Sequence, residues 1–202
     1  MNKDQSDRIK AVSSATIGLE IISQEKNKLE LLDLSSADEE SLLKAEKQIF
    51  WRLLHMLDTI LDKKTTDLEI KLIDYEINKL TFFIQRNLAT KFSSNPKNFL
   101  LYEKVSVLES LGDSLRSLKI YSRDIDEKFI KKIYNILDLL KSDNLENNNL
   151  IAIKSEMFHL RKLSEQKQNK KENDSLAYIL IYKNLKQIFD ITFTINIRKI
   201  IA

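Results

Sequence analysis

Two glycines and one proline stand among 202 residues. Sheets need reversals of the chain, and reversals draw on glycine, proline and asparagine because these residues supply or tolerate the required backbone angles. A chain so poor in breakers is expected to be helical, and its hydrophobic spacing agrees. Leu42, Ile49, Leu53, Leu57 and Ile60 form one apolar stripe, with Leu43, Phe50, Leu54 and Leu61 widening it. Ile73, Ile77, Leu80, Ile84 and Leu88 form a second, and Leu101, Val105, Leu108, Leu115 and Leu118 a third. Intervals of three and four residues place each set on one helix face. The width of the first stripe predicts burial against more than one neighbour.

Start signals divide these stripes into separate helices. Ser36-Ala37-Asp38-Glu39 and Thr66-Asp67-Leu68-Glu69 both read as capping boxes, in which hydroxyl and carboxylate satisfy the orphan amides of a first turn. Asn95-Pro96 supplies an N-cap and a proline at the first helical position, opening a helix to about Arg123. Asp124 to Glu127 restarts the chain into a shorter helix carrying Ile130, Ile133, Leu137 and Leu140. The polar run Lys141 to Asn149 reads as a loop. Leu150, Ile153, Met157, Leu160 and Leu163 mark the next helix, which is expected to dissolve in the polar run from Gln166 to Asn173.

The two ends are less regular. Ile9, Val12, Leu19, Ile22, Leu29 and Leu32 have broadly helical spacing and predict an N-terminal helix from about Ser6 to Leu34, despite Gly18 and the polar stretch from Ser23 to Lys28. In the final segment, Asp174 to Ala202, residues Ile191 to Arg198 alternate as a strand would. A lone strand has no sheet to complete, and Ile188, Ile191 and Ile195 also fit helical spacing. We read helix.

The expected fold is therefore all-α: an N-terminal helix over 1–35, a first three-helix unit over 36–123 and a second over 124–202. Two pseudo-repeated units packed into an elongated helical bundle bury more surface than either alone.

Several function classes find no footing in this composition. The 33 basic and 30 acidic residues leave a net charge of +3, which gives no nucleic-acid footprint. Absence of cysteine removes disulfides, thiolate nucleophiles and thiolate metal sites. No nucleophile elbow and no phosphate-cradling glycine-rich loop occurs. No window approaches the run of about 18 apolar residues that spans a bilayer, and the charged N-terminus is not followed by an apolar signal region. The expectation is a cytoplasmic, non-enzymatic chain.

The local arrangement with most chemical character is Glu109-Ser110-Leu111-Gly112-Asp113. Its two carboxylates stand one turn apart on one helix face. Gly112, in line with the apolar stripe, allows another backbone to come close. This stretch resembles the Glu-Arg-Ile-Gly-Asp motif on the third helix of a PhoU-like repeat. In the second repeat the equivalent stretch is Leu185 to Asp190, where the aspartate stands but Lys186 and Phe189 replace the glutamate and glycine. Asp74-Tyr75-Glu76-Ile77-Asn78 and Ser155-Glu156-Met157-Phe158-His159 look like eroded forms of the family's second-helix acidic run. Related sequences form the cytoplasmic tail of sodium/phosphate cotransporters, and the first segment is similar to the helix joining such a tail to its membrane part.

The resemblance covers about Leu42 to Ile200 and implies a regulator or accessory domain of phosphate uptake or phosphate signalling. Its partner would be a phosphate transporter or sensor kinase at the membrane, with a homodimer also allowed, so that a cytoplasmic chain becomes membrane-associated through its partner. It further implies a divalent or trivalent metal ion held by Glu109 and Asp113, assisted by Glu76 or Asp190. The plain alternative for Glu109 and Asp113 is a solvated helix edge with Arg116 as an ion-pair partner.

Another class of function is a metal-dependent carboxylate-bundle enzyme using Glu76, Glu109, Asp113, Glu156 and His159, and a third is a ligand-free helical interaction protein. The enzyme would want a Glu-x-x-His pair on each of two helices, and only Glu156-Met157-Phe158-His159 supplies one. His55 and His159 read as surface or core-edge residues, Trp51 as core, and Lys167, Lys170 and Lys171 as solvating a connector.

Overall fold

A computed structural model describes residues 19–25, 28–33, 38–62, 64–91, 96–122, 125–141, 145–169 and 174–201. Two compact units divide the chain, 1–48 and 49–202. In the first, strands β1 (Leu19–Gln24) and β2 (Leu29–Asp33) pair antiparallel, Leu19 opposite Asp33 and Gln24 opposite Leu29. The helix expected over 6–34 is thus replaced by a hairpin where the chain is described, and Ile9 and Val12 lie outside the described residues.

The physical reason lies in a bulge. The register shifts between Ile21 and Ser23, so Ile22 is an extra residue that breaks the strict alternation by which a strand is usually read. With alternation broken, the short apolar runs fit helical spacing equally well. The polar stretch after Gln24 is the reversal, closed by the Glu25 amide donating to the Lys28 carbonyl at 2.8 Å. Ser23 Oγ donates across the pair to Glu30 Oε2 at 3.1 Å, while Lys28 Nζ holds the other oxygen of Glu30 at 2.6 Å.

Six helices follow among the described residues: α1 (Glu39–Leu61), which begins in the first unit and continues in the second, α2 (Asp67–Lys91), α3 (Pro96–Tyr121), α4 (Glu127–Leu140), α5 (Asn147–Asn169) and α6 (Ser175–Ile201). Start signals act locally. Thr66 and Glu69 form the expected reciprocal box, the Thr66 amide donating to Glu69 Oε2 at 2.7 Å and the Glu69 amide to Thr66 Oγ1 at 3.4 Å. At α1 the cap is Asp38, whose Oδ1 accepts from the Ser41 amide at 2.7 Å; Ser36 lies outside the described residues. Asp126 caps α4 through the amides of Lys128 and Phe129.

Both expected boundaries of α5 move, and it begins at Asn147, inside the run from Lys141 to Asn149 read as a loop. Helix α5 continues through Gln166, Lys167 and Gln168 to Asn169, because these polar residues are good helix formers and polarity alone does not end a helix. Helix α6 runs unbroken through the strand-like stretch after Ile191. There Thr192 and Thr194 turn their hydroxyls onto the carbonyls of Ile188 and Asp190, four residues back.

Within the second unit, α3 packs against α2 and α6, α5 against α4 and α6, and α4 also against α6. The core is built from the apolar stripes: Leu53 and Leu57 of α1, Ile77 and Ile84 of α2, Leu108 and Leu115 of α3, Ile133 of α4, Leu160 of α5 and Ile181 of α6 are all buried. Full burial of one such side chain contributes about 1.5–3 kcal/mol, so packing rather than intrinsic propensity holds these helices. Tyr178 is wholly buried 4.3 Å from the Phe129 ring, and its hydroxyl accepts from the Asp126 amide at 3.2 Å. Trp51 corrects the sequence expectation: it is 51% exposed, with Lys141 Nζ 3.9 Å from its ring centre. Its neighbour Phe50 occupies the core instead.

Candidate functional site: a polar seam between α2 and α3

Gly112 sits where side chains of α1 and α2 come close to the α3 backbone. A Cβ there would lie 3.3 Å from Ile77 Cδ1, 3.7 Å from Leu53 Cδ2 and 3.8 Å from Asp74 Oδ1. The missing side chain thus lets α3 approach α1 and α2 together, as the sequence suggested. This approach brings Asp74 of α2 beside Glu109 and Asp113 of α3.

Asp74 is only 3% exposed. Arg116 Nη1 donates to its Oδ2 at 2.6 Å, and Arg116 Nη2 lies 3.6 Å from Asp113 Oδ1. Asp74 Oδ1 accepts no hydrogen bond, and neither do Asn78 Oδ1 or Thr81 Oγ1 one and two turns further along the same helix face. Beyond them Gln85 Nε2 donates to Ser106 Oγ at 2.8 Å. Residues 74, 78, 81 and 85 of α2 therefore form a polar line along α3, tied at both ends and unsatisfied between.

The electrostatics follow from this placement. Burial pushes the Glu109 carboxyl above its usual range, and the charges of Asp113 and then Asp74 push it further. Burial also raises Asp74, Arg116 partly opposes that rise, and Asp113 adds to it. Three carboxylates share the seam with one guanidinium, so the cluster carries more acidic than basic groups.

The four residues expected to hold metal are distributed unevenly. Glu109 and Asp113 share the seam. Glu76 faces Arg52 of α1 at 2.9 Å, and Asp190 is held by Lys186 at 2.6 Å on the exposed face of α6. Among the described residues no group of three or more Asp, Glu, His or Cys is placed to hold a metal ion. The Arg116 guanidinium already supplies counter-charge between Asp74 and Asp113. With that counter-charge in place, the seam does not fit a resident metal.

The carboxylate-enzyme constellation is likewise not assembled. Glu156 is paired with Lys132 of α4 at 2.7 Å, His159 Nδ1 lies 2.8 Å from the Ser155 carbonyl, and Glu76 is turned to Arg52. Each has its own local partner, and only Glu109 and Asp113 of that set stand in the seam.

Asp74 and Thr81 join the seam although the sequence points to Glu76. Asp74, three residues before Ile77, and Glu76, three residues after Ile73, stand at opposite edges of the same apolar stripe, so spacing alone does not rank the two carboxylates, and Thr81 has no signature of its own.

No family model, no curated protein and no solved structure matches this chain. No helix among the described residues is long and apolar enough to cross a membrane.

Proposed function

We propose that the chain is a non-enzymatic, PhoU-like regulator or accessory domain of phosphate uptake or phosphate signalling. It acts from the cytoplasm by docking to a membrane phosphate transporter or sensor kinase. The observation that carries this reading is the division of labour within Glu109-Ser110-Leu111-Gly112-Asp113: the glycine admits α1 and α2, and the carboxylates gather with Asp74 at the resulting seam. The glycine and both carboxylates of the motif each have a physical task. The helix order adds support, because α2 packs on α3 as α5 packs on α6, with α3 and α6 in contact, the layout expected of two pseudo-repeated three-helix units.

Regulation by contact fits a chain whose polar cluster has acceptors and counter-charge but no nucleophile or preformed phosphate cradle. The reading does not require a metal. It is tested by a crosslinked pull-down of the tagged protein from its own cells, with and without phosphate starvation, alongside Asp113→Ala. Recovery of a phosphate transporter or its sensor kinase, diminished in the variant, is the expected result. Recovery of soluble metabolic proteins alone would withdraw the phosphate connection.

A further inference from the structure

Helix α2 carries two apolar stripes. Ile70, Ile73, Ile77, Leu80, Ile84 and Leu88 form the inner one and are buried in the core. Leu68, Leu72, Tyr75 and Phe82 form the outer one, at 64%, 55%, 61% and 67% exposure. The two stripes run two residues out of step, about 200° of rotation at 3.6 residues per turn, so they stand nearly back to back. A helix that is apolar on both sides belongs between two partners, and among the described residues only the inner side of α2 is covered.

The outer stripe keeps strictly alternating four- and three-residue steps through Leu68, Leu72, Tyr75, Lys79, Phe82, Arg86 and Ala89. This is the heptad seam by which one helix packs on another, about 32 Å long at 1.5 Å per residue. Lys79 and Arg86 interrupt its apolar character, and they select the occupant. In a parallel pair of copies each cation would face its own equivalent, like charge on like charge. In an antiparallel pair whose two-fold axis is level with Ile77, Leu72 faces Phe82 of the second copy, Lys79 faces its Tyr75 and Arg86 its Leu68. Lys79, Arg86, Glu69 and Glu76 share one flank of α2, and such an axis lays that flank against its own copy. Glu76 of the second copy then comes within one residue of the level of Lys79, and its Glu69 within one residue of Arg86. Both carboxylates are accessible: Glu76 is paired with Arg52 yet 43% exposed, and Glu69 is exposed in its capping box.

We infer that the outer face of α2 is a self-association surface, on which a second copy of the chain packs its own α2 antiparallel. Leu72 and Phe82 interdigitate on either side of the axis. Lys79 lies on the Tyr75 ring of the second copy and beside its Glu76, and Arg86 meets its Glu69. The interface is isologous, so every one of these contacts occurs twice. A seam of one helix from each copy is at the small end of specific interfaces, and the dimer is therefore reversible and concentration-dependent. The inference does not depend on the phosphate connection.

The test is sedimentation equilibrium of the full chain over a series of concentrations, joined to disulfide trapping in a protein that has no cysteine of its own. A monomer–dimer equilibrium is expected. Leu72→Lys and Phe82→Lys, both at exposed positions, should each raise the dimer Kd about tenfold or more, and Lys79→Glu should do the same by setting a carboxylate against Glu76 of the second copy. Ile151→Lys, at an exposed apolar position on α5, leaves the equilibrium unchanged. Thermal melts establish that each variant is folded. Orientation is read by mixing Leu68→Cys with Arg86→Cys: an antiparallel pair joins the two different variants, whereas a parallel pair joins each variant to itself. A dimer undiminished in Phe82→Lys, a dimer lost in Ile151→Lys, or disulfides formed only within each variant overturns the inference. So does a monomer at every concentration, which would leave the stripe to a partner of different sequence. None of these outcomes bears on the pull-down, which reads a membrane partner and stands or falls separately.

Discussion

Arg116 of α3 donates to Asp74 of α2 at 2.6 Å, joining residues 42 positions apart through one charge-assisted hydrogen bond. The aspartate is buried and the arginine only partly so. Removing the arginine strands a carboxylate inside the protein, whereas neutralising the aspartate frees a side chain that can return to water. Arg116→Ala is expected to destabilise the fold by about 1.5–3 kcal/mol, less than a fully buried pair would because water reaches the guanidinium. Adding Asp74→Asn should recover part of that loss. Urea denaturation of the single and double variants measures both effects, and equal stability of Arg116→Ala and the parent would show that the pair contributes nothing.

Glu109 is held above the ordinary value of 4.5 by burial and by Asp113 and Asp74, and Asp74 above its ordinary 3.8 by burial. A carboxyl raised in the folded state keeps its proton to higher pH than in the unfolded chain. The stability associated with these two groups is therefore greatest below the unfolded values, declines as pH rises through the interval up to the folded pKa, and levels off above it. Glu109→Gln is expected to flatten this part of the profile and to raise stability at neutral pH. Melting temperatures between pH 4 and 8 test the sign, and a Glu109→Gln melting point below that of the parent at pH 7 would contradict it.

Gly112 sets opposing effects against each other. Alanine in mid-helix is favoured over glycine by about 1 kcal/mol, while its Cβ would press on the end of the Ile77 side chain at 3.3 Å. Because that atom ends a flexible side chain, Gly112→Ala should stay within about 1 kcal/mol of the parent. Gly112→Leu overfills the α1, α2 and α3 junction and should cost about 1–3 kcal/mol or more. Chemical denaturation separates the two cases, and a well-tolerated leucine would mean the close approach is not needed.

Phe50 and Trp51 are chain neighbours with opposite fates. Phe50→Ala empties a core position and should cost about 3–5 kcal/mol. Trp51→Ala removes a half-exposed ring and its Lys141 contact, which at such a site is worth about 0.5–1 kcal/mol. Comparing the midpoints of the two variants checks the assignment, and a larger loss for Trp51 would reverse it.

Much of this protein was decided by local chemistry and is legible in the chain. Few breakers and repeated three- and four-residue spacing predicted the helices from 39 onward. Thr66 with Glu69 announced the start of α2, and Gly112 between two carboxylates announced a close approach, because caps and missing side chains act within a turn or two of themselves.

Tertiary structure decided the rest. The hairpin at 19–33 depends on one extra residue, Ile22, whose meaning appears only when the opposite strand is in register. Trp51 and Phe50 both sit beside the same stripe, and only the placement of neighbouring helices assigns one to the core. Helical spacing does not rank Glu76 against Asp74, yet α1 brings Arg52 to the first, while α3 brings Arg116, Glu109 and Asp113 to the second. Helical spacing states which residues share a face. What that face meets is fixed by packing between helices far apart in the chain, and the polar seam exists only there.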